Sequence, residues 1–325
     1  MARHMRRRSV IMLAAMGALA STGTAYLGAR NLLAGQADQT RTIIPRAWDA
    51  PPRADGVYTR GDESVQRWHR GMDVDLQLMV FGDSTATGYG CRNADEVPGA
   101  LIARALAERT GKSIRLSTKA IVGATSKGLS GQVDAMFVAG PPPDVAVIMI
   151  GANDITALNG VGRSAYRLGR AVRRLHASGA VVVVGTCPDF GVISAIPQPL
   201  RWVTHTRGRR LARAQAAAVK AAGGTAVPFA DLLAPEFHHA PELLFAKDQY
   251  HPSAAGYALA ANQLIPALYA ALDVPPVESA ESPAAAPSTP TAMNAVSRRA
   301  RLLAMSRLRR RRTTGVPAPV VPTRG

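Results

Sequence analysis

The chain has 325 residues, two Cys and a formal net charge of +17. The charge sits in the ends: residues 1–8 carry four Arg, and residues 275–325 carry nine Arg against two Glu. With no finger spacing and no aromatic-rich basic stripe, nucleic acid is excluded as the main ligand, and two Cys outside any CxxC pair exclude a thiolate metal cluster.

Residues 1–8, MARHMRRR, form a basic head, and an apolar run follows from Val10 to Ala20. No charge occurs from Ser9 to Ala29. Residues 1–30 therefore read as a signal peptide or an N-terminal membrane anchor, with the rest of the chain exported beyond the cytoplasmic membrane. Residues 31–72 are polar, with scattered Pro and Arg, and read as a linker or stalk.

An alternation then begins. Strands are expected at Leu76–Phe81, Ser113–Ile121, Asp144–Ile150, Ala180–Gly185 and Thr225–Phe229. Helices are expected at Val97–Arg109, Leu129–Val138, Arg163–Ser178, Thr204–Ala222 and Ala254–Leu272. Solidly apolar strands alternating with helices imply a five-stranded parallel sheet covered on both faces, in one α/β domain over residues 73–274. Residues 275–325, rich in Pro and Ala and then in Arg, cannot bury a core and are expected to be a disordered tail attracted to anionic surfaces. Cys91 and Cys187 both follow strands at one end of the sheet, so a disulfide and two free thiols are both open at this point.

In a parallel sheet the loops after the strands converge. Here they carry Gly82-Asp83-Ser84, Val122-Gly123-Ala124, Gly151-Ala152-Asn153-Asp154 and Asp248-Gln249-Tyr250-His251-Pro252. Together these supply what acyl transfer needs. Ser84 is a hydroxyl nucleophile, His251 a base near neutrality, and Asp248 an acid that fixes the imidazole tautomer from three residues away. The N–H groups of Ser84 and Gly123 and the Asn153 amide are oxyanion donors. Asp154 reads as a structural Asx turn. His176, His205, His238 and His239 fit no motif and read as surface or loop residues.

These four blocks resemble the SGNH hydrolases, also called GDSL esterases and lipases, over roughly residues 73–272. The resemblance implies a flavodoxin-like three-layer α/β/α sandwich and metal-free hydrolysis of esters, thioesters or carbohydrate acetyl groups. No cofactor is implied, and the expected substrate is an ester or lipid-like small molecule turned over by a monomer. The chain departs from the family pattern twice. Thr85 stands where Leu usually follows the nucleophile, and Lys119 stands where an Asn often braces the second-block loop. Two rivals remain: a metal-dependent phosphoesterase using Asp83, Asn153, Asp154, Asp248 and His251, and a non-catalytic envelope-binding module. An α/β-hydrolase is rejected because Ala86 replaces the last Gly of G-x-S-x-G. Residues 191–207, with Ile193, Ile196, Trp202, Arg201 and Arg207, and with Arg209 and Arg210 just beyond, read as a flap over the site.

Overall fold

The sheet has six strands rather than five. In the computed structural model, which describes residues 25–40, 42, 50–62 and 64–275, they run β1 Gly56–Tyr58, β2 Leu76–Gly82, β3 Ile114–Thr118, β4 Val145–Met149, β5 Val181–Gly185 and β6 Thr225–Val227. Their spatial order is β1-β3-β2-β4-β5-β6. Strands β2 to β6 are joined by four parallel pairings, and β1 alone is antiparallel, against β3. Residues 56–58 were expected in a linker. They instead close the sheet edge, and Tyr58 is buried with its hydroxyl donating to the Ala54 carbonyl at 2.7 Å.

The helices are α1 (residues 25–40), α2 Ser84–Thr87, α3 Pro98–Thr110, α4 Ser126–Ala139, α5 Ala152–Thr156, α6 Val161–Ala177, α7 Leu200–Ala221, α8 Phe229–Leu232, α9 Ala234–His239, α10 Pro241–Leu244 and α11 Ala254–Ala271. Alternate strand residues feed opposite cores, as the two-residue period of a strand requires. Leu78 and Val80 of β2 and Val145 and Val147 of β4 pack with α3 and α11 on one face. Met79, Phe81, Ala146 and Ile148 pack with α4 and α6 on the other. This is the three-layer sandwich. The parallel strands follow the flavodoxin-like order, whose switch point lies between β2 and β4, the strands that precede Ser84 and Asn153.

Part of the segment read as leader and stalk is also helical. Helix α1 is tied to the start of α7: Gln36 donates to the Gln198 carbonyl at 2.5 Å and accepts from the Leu200 N–H at 3.0 Å. Among the described residues no helix is long and apolar enough to cross a membrane. The basic head, the apolar run Val10–Ala20 and the Arg-rich tail lie outside the described residues.

Candidate active site

The strand-two end is built by exclusion. Gly82 has φ 137°, and a Cβ there would sit 1.9 Å from the Met149 carbonyl oxygen. Only glycine tolerates both the backbone and the contact. Gln132 of α4 then grips the Gly82 peptide from both sides, accepting from its N–H at 2.9 Å and donating to its carbonyl at 2.7 Å. Asp83 caps α2 by accepting from the Thr85 N–H at 2.9 Å, so Ser84 becomes the first helical residue. Ser84 is buried but lines a cavity that His251 also lines.

His251 comes from the loop between α10 and α11. The loop is closed by the Ala246 N–H donating to the His251 carbonyl at 2.8 Å. Its ring Nδ1 lies 2.7 Å from Asp248 Oδ2. Asp248 Oδ1 accepts from the N–H groups of Tyr250 and His251, both at 3.0 Å. Burial works to raise the Asp248 carboxyl, but the His251 ring and the two N–H groups outweigh it and hold it below the ordinary range. The acid is therefore ionised at neutral pH, and His251 is held in the tautomer that carries its proton on Nδ1. The imidazole packs on Tyr89, with centroids 4.7 Å apart. Tyr257 of α11 in turn donates to the Tyr89 carbonyl at 2.8 Å.

Gly123 has φ 81°, as the third residue of a type II turn requires. The turn is closed by the Ala124 N–H, which donates to the Ile121 carbonyl at 3.0 Å. Asn153 lies in the first turn of α5, and its Nδ2 donates to the Ala124 carbonyl at 3.1 Å. That bond ties the Asn153 and Gly123 loops together and occupies one of two amide hydrogens.

Asp154 is the structural residue that its sequence setting suggested. Its carboxylate accepts from the Ser126 N–H and hydroxyl, from Asn159 Nδ2 and from the Ser164 hydroxyl, all at 2.8–2.9 Å. This cluster, with the Asn153 bond, supplies the bracing that Lys119 does not. It also leaves Asp154 committed to loop closure rather than to a metal. Among the described residues no group of three or more His, Cys, Asp or Glu is gathered as metal ligands would be.

Several residues escaped sequence reasoning. Gln215 of α7 repeats what Gln132 does, accepting from the Cys187 N–H at 2.7 Å and donating to the Ile150 carbonyl at 2.9 Å. His205, expected as a surface or loop residue, lies in α7 with its Nδ1 2.5 Å from Asp189 Oδ1. Asp189 also accepts from the Gly191 N–H and lies 3.6 Å from Arg209, so a second acid–imidazole pair fixes the turn at Phe190–Val192. The first part of the expected flap does wall the cavity, through Val192 and Ile193, next to Phe190 just before it. Its Trp202 is 64% exposed and does not line it. Of the flap cations, Arg209 is engaged with Asp189 and Asp231, and Arg207 donates to the Asn159 carbonyl at 3.0 Å. Thr85 lines the cavity where the resemblance anticipates Leu. Cys91 and Cys187 are free thiols, both buried.

Asp83 is the least comfortable group in the site. It is 1% exposed, and its Oδ2 has no hydrogen-bond partner among the described residues. Burial raises its pKa from 3.8 to about 6, against the Thr85 N–H bond, which lowers it. The unfolded chain keeps the ordinary value, so this group favours folding below pH 3.8, and that contribution is lost as pH rises through about 6. The loss is on the order of 3 kcal/mol. Asp83→Asn keeps an oxygen for the Thr85 N–H and cannot ionise. Its melting midpoint should exceed that of the wild type at pH 8, with the gap closing by pH 4. A gap independent of pH would show that Asp83 is not the titrating group.

Comparison with known proteins gives a family and a fold. A family model described as GDSL-like lipase/acylhydrolase matches residues 80–259. A GDSL-like esterase of Mycobacterium tuberculosis is 66% identical over 325 residues, 99% of this chain and all of the relative. Among solved structures, the psychrotrophic esterase EstA of Pseudoalteromonas sp., in a form inhibited by monoethylphosphonate, is 18% identical. It superposes with a TM-score of 0.50 over 61% of this chain and all of its own, a likeness of fold.

Proposed function

The chain belongs to the GDSL-like lipase/acylhydrolase family, and from that premise we propose that it is a serine ester hydrolase whose chemistry runs through Ser84, His251 and Asp248. The observation that carries the reading is the 2.7 Å bond from His251 to Asp248, on a histidine that shares one cavity with Ser84. His251 takes the Ser84 proton as the bond from Oγ to the acyl carbon forms. The resulting oxyanion rests on the Ser84 and Gly123 N–H groups and the Asn153 amide. As it collapses, the ester C–O bond breaks and His251 returns the proton to the departing alcohol. Water, deprotonated by the same imidazole, then releases the acid and restores Ser84.

A serine-directed phosphonate tests this on the intact protein. It should inactivate the enzyme and leave one adduct, on Ser84. Inactivation by a chelator with no adduct would favour the metal-dependent reading. A phosphonate adduct would likewise set aside the non-catalytic module.

We further propose short- to medium-chain or lipid-like esters as substrates, turned over by a monomer outside the cytoplasmic membrane. The apolar run behind a four-Arg head supports export, and the Arg clusters of the tail suit an anionic envelope surface. A reporter active only in the cytoplasm, fused after Gly325, should stay silent; strong signal would reject export.

A further inference from the structure

The two helical layers of the sandwich do not share their charge. Helices α4, α6 and α7 carry twelve Arg and Lys against one acid, Asp134, whereas α3 and α11 carry Arg104 and Arg109 against Glu108. The first three form one layer. α4 and α6 cover the same core cluster, which Val219 of α7 joins, and a Cβ on Gly169 of α6 would stand 3.3 Å from Ala218 Cβ of α7. Apolar exposure divides in the same way. Phe137 and Val138 of α4, Tyr166 of α6 and Trp202 of α7 are exposed, the last two at 63% and 64%, while α3 and α11 expose no large hydrophobic residue.

Some of these cations are committed inside the fold. Arg174 pairs with Asp134, Arg209 lies against Asp189 and Asp231, and Arg207 donates to the Asn159 carbonyl. Arg163, Arg170 and Arg173 are different. They are exposed, and among the described residues they pair with no carboxylate. At successive spacings of three, four and three residues, Arg163, Tyr166, Arg170 and Arg173 fall on one side of α6, opposite its buried Leu168, Val172 and Leu175. Arg210 and Arg213 of α7 are exposed beside them in the same layer.

We propose that this layer is a docking face for an anionic lipid bilayer, with the α6 arginines against the lipid phosphates and Tyr166 and Trp202 among the headgroups. Charge complementarity gives the sign of the partner. Two observations favour lipid over a soluble polyanion. Tyr and Trp have amphipathic rings suited to the membrane–water boundary, and a polyanion in water gains nothing from the exposed Val138 nearby. The chain also meets the domain on this side. The charge-free run Ser9–Ala29 leads into α1, and Gln36 of α1 is bonded to Gln198 and Leu200 at the start of α7. An apolar run held in a bilayer would keep the helix that carries Trp202 beside the headgroups. The face needs neither the chemistry at Ser84 nor the Arg-rich tail, so either can fail without it.

The test partitions the full-length protein onto two kinds of vesicle, phosphatidylcholine alone and phosphatidylcholine mixed with phosphatidylglycerol. The ratio of the two partition coefficients cancels what an uncharged run contributes to both. Each Arg close to an anionic surface is worth roughly fivefold in affinity. Arg163→Gln, Arg170→Gln and Arg173→Gln combined should therefore lower the ratio by on the order of a hundredfold, and added salt should erase the wild-type preference. Wild-type turnover of a soluble ester and an unchanged melting midpoint show that the variant folds. Tail cations add to the same ratio, so the loss is measured again in a full-length chain carrying Arg309→Gln, Arg310→Gln, Arg311→Gln and Arg312→Gln. Tryptophan emission gives a second readout: anionic vesicles should shift it to the blue, and Trp202→Phe should remove most of that shift. If the triple variant does not fold, this second readout decides.

Equal partition of the wild type onto both vesicles, a ratio untouched by the triple variant in both tail backgrounds, or an emission shift that survives Trp202→Phe would overturn the inference. Loss of heparin binding in the triple variant, with its vesicle ratio intact, would assign the face to a soluble polyanion and overturn it as well.

Discussion

Ser84→Ala should lower kcat on an activated ester by roughly 10⁴–10⁶-fold while leaving the fold intact, the range expected when a serine nucleophile is removed from a working triad. Two observations make the fold the unchanged part. Ser84 is the first residue of α2, and the side chain that caps this helix belongs to Asp83, not to Ser84. Gly82 stays gripped by Gln132 whatever stands at position 84. Alanine therefore removes the nucleophile without removing a structural bond that the described geometry assigns to its hydroxyl. His251→Ala should cost a comparable factor, and Ser84→Ala combined with His251→Ala should cost little more than either alone, because the two act as one unit.

Asp248→Asn separates orientation from chemistry. Asp248 makes three bonds, one to the ring of His251 and two to backbone N–H groups. An amide oxygen can keep two of them but loses the negative charge facing the imidazole. Turnover should fall strongly yet remain above that of His251→Ala, and the loop should keep its closing bond from Ala246 to His251. Circular dichroism and melting midpoints give the fold, and turnover per folded molecule gives the chemistry. Full turnover in Ser84→Ala would remove Ser84 from the reaction.

The Ser84 and Asn153 loops were legible because each follows an apolar run that only a doubly covered strand produces, whereas the loop of Asp248 and His251, expected after the fifth strand, follows helix α10 and was legible only by its motif. Phe81, Ile150 and their neighbours have no polar alternation to misread. β1 was not legible. Three residues between Pro51-Pro52 and a polar stretch show no period, and they become a strand only because β3 offers a free edge. Gln132 and Gln215 were hidden for a different reason. A glutamine inside an amphipathic helix reads as a solvent-facing residue, and nothing local reveals that both side chains turn inward to hold strand ends. The pairing of Asp189 with His205 spans sixteen residues and a helix start, so it is a product of tertiary structure alone. The cavity is equally non-local. Phe190, Phe229, Phe237 and Phe245 come from four separate stretches of the chain and meet as the walls of one cavity.

Asn153→Ala should lower kcat by roughly 10²–10³-fold, the size expected for one lost oxyanion donor, with KM nearly unchanged because the bond strengthens only as the oxyanion forms. The geometry adds a second consequence. One amide hydrogen of Asn153 is spent on the Ala124 carbonyl at 3.1 Å, which ties the Gly123 turn in place. Removing the amide loosens the loop that carries another donor, so the kinetic loss should lie toward the upper end of that range. The loss in stability should stay near 1 kcal/mol, the ordinary worth of one hydrogen bond, because Asp154 still holds the loops after β3 and β4 through its four donors. Asn153→Asp should be worse than Asn153→Ala: a carboxylate would face both the Ala124 carbonyl and the forming oxyanion, repelled by each. Measuring kcat, KM and the melting midpoint for both variants divides the two roles. Wild-type kcat in a destabilised Asn153→Ala would reduce Asn153 to a loop brace and leave the oxyanion to the N–H groups of Ser84 and Gly123.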